Sequence, residues 1–291
     1  MGGTWLLLTL SVLIGQASVP KDDAAAREAA RVKRERLLPL YTSEAAEYTI
    51  YRDADRRDKV ELRREPVYVW TNPLREDGQD GAVFVWTCRG RPEVIGCIFM
   101  SPTTRPRHVY HEFHSLALTV LDVKRSGRHA KTWTPLAPGV TVTAVAGAPS
   151  PSPSAPQRLA QMRALTREFT ASTLDHKDRQ WELRLLPQPL YRYESTDPNV
   201  LDGAVFAYVT SAGTDPEALL VLEARKPSGK DLPLWHYTIS RFTDTELHVK
   251  HKDKEVFKAP LIPTSATEQD PKHRYRVWYD RTISTFDKAA P

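Results

Sequence analysis

Asp80-Gly81-Ala82-Val83-Phe84 returns as Asp202-Gly203-Ala204-Val205-Phe206, 122 positions later. The echo extends outward in both directions. Glu47-Tyr48-Thr49 matches Glu168-Phe169-Thr170, and Glu61-Leu62-Arg63 matches Glu182-Leu183-Arg184, both 121 positions apart. Pro66-Val67-Tyr68 matches Pro189-Leu190-Tyr191, and Pro92-Glu93 matches Pro216-Glu217. The order is kept while the offset drifts by a few residues, as insertions in loops produce. Self-similarity at a fixed spacing marks an internal repeat and has to be read before any single element. The chain is therefore expected to hold two homologous domains in tandem, each of roughly 120 residues and long enough to bury a core.

Each copy opens with helical composition. Asp22 to Leu38 is rich in Ala, Arg and Glu, which are good helix formers. In the second copy Ser154 reads as an N-cap, Pro156 falls in the first turn and Gln157 takes the capping-box position. Strand-like runs follow at Trp181–Leu186, Leu190–Tyr193, Ala204–Thr210, Ala218–Ala224, Trp235–Phe242 and Leu247–Phe257, with counterparts in the first copy. The breaks between them carry Pro, Gly, Asp and Asn, which is turn chemistry, and Asp80-Gly81 itself reads as a turn ahead of a buried strand. The short gaps predict antiparallel neighbours. The expected fold class is α+β: in each domain an N-terminal helix packs on a curved antiparallel sheet of about five or six strands.

The N-terminus reads as a secretory signal. Trp5 to Ile14 is apolar, within signal-peptide range and too short to cross a bilayer, and Gly15-Gln16-Ala17 offers a small-residue cleavage site. The expected organisation is a signal peptide over 1–17, a first repeat domain over 18–145, a Pro/Ser-rich linker over 146–154 and a second repeat domain over 155–291. That places the protein outside the cytoplasm, secreted or periplasmic, with no transmembrane segment after cleavage. The net charge of +5 does not point to nucleic acid. Basic residues are interleaved with acids, as in Asp53-Ala54-Asp55-Arg56-Arg57-Asp58-Lys59, and no Lys/Arg block alternates with aromatics.

No catalytic signature lies in the repeated part. Gly81-Ala82-Val83-Phe84 lacks the Gly spacing and Lys of a phosphate loop. On a strand, alternate residues share a face, so His108, Glu112 and His114 form a candidate metal trio; the alternative is a half-exposed strand that happens to carry His. Aligned on Tyr110 and Tyr237, the second copy has Trp235, Ile239 and Arg241 in their places. Tyr68 and Trp70, and Tyr191 and Tyr193, alternate on equivalent strands and read either as core or as a stacking platform for a ligand. Cys88 and Cys97 flank a turn; they are either a disulfide, which needs both side chains on one face and nearly opposite, or two buried thiols. These features favour a non-enzymatic binding or interaction protein of the cell envelope, with no cofactor and with an envelope protein or glycan as candidate partner. The rival is a metal-dependent hydrolase using His108, Glu112 and His114.

Trp86 to Gly96, His111 to Leu116 and Arg184 to Ser195 resemble a family of exported bacterial proteins with an internal duplication. The resemblance covers about Leu37 to Phe257. It implies no activity and transfers no functional residue.

Overall fold

The longest apolar runs form strands buried on both faces, and this sets the architecture. In β4 (Gln79–Cys88) every residue but Thr87 is buried, and in β12 (Val200–Val209) every residue but Leu201. A strand covered on both sides loses the apolar–polar alternation of a half-exposed one. The computed structural model describes residues 35–52, 55–72, 78–101, 106–127, 132–211, 213–226, 232–263 and 270–283. The expected signal peptide lies outside them. The chain divides into compact units 1–39 and 40–291, and both sheets lie in the second.

Sheet I contains β1 (Tyr48–Tyr51), β2 (Lys59–Leu62), β3 (Tyr68–Asn72), β4, β5 (Arg91–Ser101), β6 (Arg107–Ser115), β7 (Asp122–Arg125) and β17 (Tyr275–Ile283). Sheet II contains β8 (Thr143–Ala144), β9 (Phe169–Leu174), β10 (Gln180–Leu185), β11 (Tyr191–Tyr193), β12, β13 (Pro216–Arg225), β14 (Leu234–Arg241), β15 (Glu246–His251) and β16 (Lys254–Ala259). Helix α1 reaches residue 46 and α2 spans Ala155–Thr166. Among the described residues neither helix is long and apolar enough to cross a membrane.

Sheet I runs β17-β6-β5-β4-β2-β1-β7, and sheet II runs β16-β15-β9-β10-β12-β13-β14-β8; β3 also pairs β4, and β11 also pairs β12. Without β8, β16 and β17 the two orders are the same. Register ties them residue by residue. Leu116 N donates to Glu93 O and Phe242 N to Glu217 O, both at 2.8 Å; Ser126 N donates to Glu47 O and Lys252 N to Glu168 O, both at 2.9 Å. The ladders also correct two sequence pairings. Ile50 lies opposite Val60 and Ala171 opposite Leu183, so Glu61 corresponds to Arg184 and the Glu-Leu-Arg echo is out of register by two. Ile98 pairs His111 and Leu222 pairs Tyr237, so His111, not Tyr110, is the counterpart of Tyr237.

The sheets pack face to face. Val83, Val85, Ile95 and Cys97 from sheet I meet Val205, Ala207, Leu219 and Val221 from sheet II in one core. The alternate residues of β12 and β13, among them Phe206, Tyr208, Leu220 and Leu222, point to the other side and pack with Met162 and Leu165 of α2. Contacts across the seam are reciprocal. The β4–β5 turn is held where Ser195 Oγ and Thr196 N donate to Arg89 O, at 2.8 and 3.0 Å. The β12–β13 turn is held in the matching place, where Thr214 Oγ1 donates to Thr71 O at 3.0 Å and Asn72 Nδ2 to Asp215 Oδ1 at 2.9 Å. Reciprocity of this kind is the pattern of a two-fold interface. Edge strands are exchanged as well: β17, from the end of the chain, pairs β6 of sheet I, and β8, from before α2, pairs β14 of sheet II.

Several expectations need correction. The fold is not α+β with five- or six-stranded sheets. It is mostly β, with eight and nine strands in two curled antiparallel sheets, because the exchanged edge strands and the short β7, β15 and β16 enlarge each sheet beyond what apolar runs reveal. Asp80-Gly81 and Asp202-Gly203 are not turns but lie inside β4 and β12. Their glycines make room for rings: a Cβ on Gly81 would sit 2.8 Å from the Trp70 ring, and one on Gly203 2.4 Å from that of Tyr193. Asp80 accepts the Tyr41 hydroxyl; Asp202 pairs Arg158 at 2.7 Å and Arg192 at 2.9 Å. Ser154 caps α2 by position but makes no side-chain cap bond, and Gln157 bonds Ser152 instead. Cys88 and Cys97 are buried free thiols, not a disulfide. Cys88 lies opposite Arg91 and Cys97 opposite Val83, which separates them by five ladder steps, about 17 Å.

Candidate functional site

The sequence-named residues scatter. Trp70 and Tyr193 are buried in the core between the sheets, and Tyr68 and Tyr191 are partly buried against it. His108 Nδ1 contacts Thr282 Oγ1 at 2.9 Å; Glu112 accepts the Tyr275 hydroxyl at 2.7 Å; His114 Nδ1 bonds Ser115 O at 2.8 Å. Each histidine or carboxylate of that trio is engaged locally, and the three do not converge. Trp70 and Glu112 do meet, with Tyr110, Asp215, Asp244 and Tyr279, in a cleft of about 180 Å³ beside the seam. That is below the usual size of a small-molecule site.

Among the described residues one group of three His/Asp/Glu side chains brings its ligand atoms within 4.8 Å of one another: Glu44, His111 and Asp280. It forms where sheet I curls. Arg125 on the β7 edge pairs Glu44 of α1 at 3.1 Å and Glu47 at 2.7 Å, and its Nη2 donates to Asp280 on the β17 edge at 3.1 Å. Arg281 takes the other oxygen of Glu44. The Tyr48 hydroxyl shares a hydrogen bond with His111 Nδ1 at 2.7 Å, and its ring lies under the Arg125 guanidinium, 5.4 Å from the ring centroid. Burial lowers the His111 pKa against the opposing pull of Glu44, and burial raises that of Tyr48, so both stay neutral. Burial alone would raise the Glu44 pKa, yet it is held below the usual carboxylate value. The neighbours that lower it are His111 and the Arg281 guanidinium, and of these only Arg281 brings a full charge. His111 Nε2 lies 3.3 Å from Glu44 but off the hydrogen-bond axis. With both Glu44 oxygens and the Asp280 carboxylate held by arginine, a cation would have to displace guanidiniums. The donor set fits a saturated ion network better than a metal centre.

At the matching positions sheet II is apolar. Glu44, Tyr48 and His111 correspond to Leu165, Phe169 and Tyr237, and Val145 stands where the Asp280–Arg281 bulge lies; all four belong to the core around α2. At the rim His251 Nε2 contacts Glu168 Oε2 at 2.9 Å, and Lys252 pairs the same carboxylate at 3.0 Å.

Sheet II differs in a second way. Its curl brings β14 and the β16 edge to one cavity of about 400 Å³, closed by β8 with the segment before it and by the segment before β17. Ile239, Val256, Phe257 and Ile262 give it apolar walls, and Arg241 and Arg274 bring charge. In sheet I the counterpart of Ile239 is Phe113, and it is covered by the buried indole of Trp133, ring centroids 5.4 Å apart, with Trp133 Nε1 donating to His273 O at 2.8 Å. One sheet is plugged where the other is open. Sequence reading missed this cavity because its lining comes from five separate segments, and of the candidate site residues named from sequence only His114 lies on it. Of the ion network only His111 belongs to the histidine-rich run 108–114, where strand alternation puts it on the face opposite the trio. No family model, curated protein or solved structure matches this chain.

Proposed function

We propose that the protein is a non-enzymatic binding protein with its ligand site in the sheet II cavity, built from two copies of one unit and acting in the cell envelope after export. The observation that carries the reading is the cavity's opening at a place where the sheet I counterpart is filled by Trp133. The fold can pack that position, so the void is a departure from its own pattern, and 400 Å³ falls within the range of small-molecule sites. The matched strand order and the reciprocal seam support the two-copy origin. The apolar run Trp5–Ile14, read as a secretory signal, supports the location.

The test is a titration with N-phenyl-1-naphthylamine, a neutral apolar probe whose fluorescence rises on leaving water. The native protein is expected to bind it, and Ile239→Trp, which fills the cavity as Trp133 fills its counterpart, to lose binding while melting at a similar temperature. Equal binding by both proteins, or none by either, refutes the reading.

A further inference from the structure

We infer that the cavity takes an anion carrying an apolar body, its acid group held by the Arg241 guanidinium. The inference rests on the cavity reading above. Five lining side chains are basic (His114, Arg241, Lys258, His273 and Arg274) and none is acidic. Two of them have carboxylate partners elsewhere, Lys258 on Glu246 at 3.1 Å and His273 on Asp270 at 2.9 Å. His114 is neutral, its pKa pushed down to about 3 by burial. The positive charge facing the cavity therefore comes from Arg241 and Arg274.

Arg241 is the unusual one. It is 6% exposed. Its Nε donates to Thr243 O at 2.7 Å, Nη1 to Pro260 O at 2.9 Å and Nη2 to Thr245 O at 2.7 Å. A guanidinium has five N–H groups, so two are not used by these three bonds and can serve the oxygens of a carboxylate or phosphate, while the Tyr275 ring lies against the guanidinium, 5.2 Å from its centroid. Three other arginines with buried guanidiniums sit on carboxylates, Arg91 on Glu223 at 2.8 Å, Arg125 on Glu44 and Asp280, and Arg158 on Asp202 at 2.7 Å, while the buried Arg276 donates to Thr132 O. Arg241 has no carboxylate within 4 Å among the described residues. Burial holds its pKa below the usual guanidinium value, with Tyr275, Asp244 and Glu112 opposing from a distance. A buried cation without a counter-charge is costly, and a ligand anion removes that cost. The fold does not impose the residue. Val94 lies opposite Ser115 in sheet I and Ala218 opposite Arg241 in sheet II, so the counterpart of Arg241 is a serine.

The experiment compares decanoate, 1-decanol and decylammonium as displacers of N-phenyl-1-naphthylamine, on the native protein and on Arg241→Gln. Decanoate is expected to bind about 10- to 100-fold more tightly than decanol, the effect of a charge-assisted hydrogen bond, and decylammonium most weakly. Arg241→Gln should keep the neutral probe, which shows the cavity intact, while decanoate falls to the level of decanol. Equal affinities for decanoate and decanol on the native protein, or an undiminished decanoate preference in Arg241→Gln, would overturn the anion inference and leave the cavity reading standing. Failure of the probe itself to bind would remove the cavity reading. If Arg241→Gln does not fold, the ratio of decanoate to decanol on the native protein decides alone.

Discussion

Removing Arg125 from the sheet I network should cost far more than removing the whole network. Its side chain is fully buried and bridges Glu44, Glu47 and Asp280 across the gap between the β7 and β17 edges. Arg125→Met leaves Glu44 and Asp280 buried with Arg281 as the remaining guanidinium. Breaking one side of a buried ion pair costs about 3–5 kcal/mol, which for a chain of this size lowers the melting temperature by roughly 6–20 °C. The combined change Glu44→Leu, Tyr48→Phe, His111→Tyr, Arg125→His, Asp280→Val installs the residues that sheet II uses in the same places. It removes the buried Glu44, Arg125 and Asp280 together, leaving only the partly exposed Arg281 and Glu47 to solvent, and should be within about 2 kcal/mol of the native protein, as apolar replacements of buried ion networks often are. Equilibrium urea unfolding followed by tryptophan fluorescence measures both, with the slope checked for unchanged cooperativity. The reasoning fails if Arg125→Met costs under 1 kcal/mol, or if the fivefold variant is less stable than the single one.

Stability should also fall on acidification below pH 6.5 through His114. The unfolded chain protonates this residue near 6.5, whereas the folded protein holds it neutral down to about 3. Between those values the unfolded state binds more protons, so the contribution is complete above pH 6.5 and is lost as pH falls, at up to about 1.4 kcal/mol per pH unit. His114→Leu should flatten the urea-midpoint profile between pH 6.5 and 4; an unchanged slope rejects the assignment. Gly203→Ala should destabilise by about 1–3 kcal/mol, since the new methyl meets a Tyr193 ring that is itself fixed by its hydroxyl donating to Glu223 at 2.7 Å. A loss below 0.5 kcal/mol in thermal or urea melts would mean the ring yields.

Much of the strand framework is readable in the sequence, because residues such as Val83-Phe84-Val85-Trp86 and Leu219-Leu220-Val221-Leu222 leave no choice but a strand covered on both sides. Sheet size is not readable. β7, β8 and β16 are short and only partly apolar, and they are recruited by unsatisfied ladder edges rather than by their own hydrophobicity. The same holds for the candidate site. Arg241 lies next to Phe242 in an ordinary strand sequence, and nothing local distinguishes a guanidinium resting on carbonyls from one resting on a carboxylate. Aligning Tyr110 with Tyr237 hid the polar-for-apolar replacement at His111, which one step of ladder register exposes.

The exchanged edge strands also have a consequence in time. β6 is complete once residue 115 has left the ribosome, yet its partner β17 begins at Tyr275, and Tyr110 waits for Tyr279, about 170 residues later. At ordinary elongation rates that is on the order of ten seconds. Throughout it, the backbone of β6 presents an unpaired ladder to anything nearby, including another nascent chain. The first half of this protein is thus born with an open ladder edge that β17 covers, and its biosynthesis depends on keeping that edge unoccupied until β17 has been made.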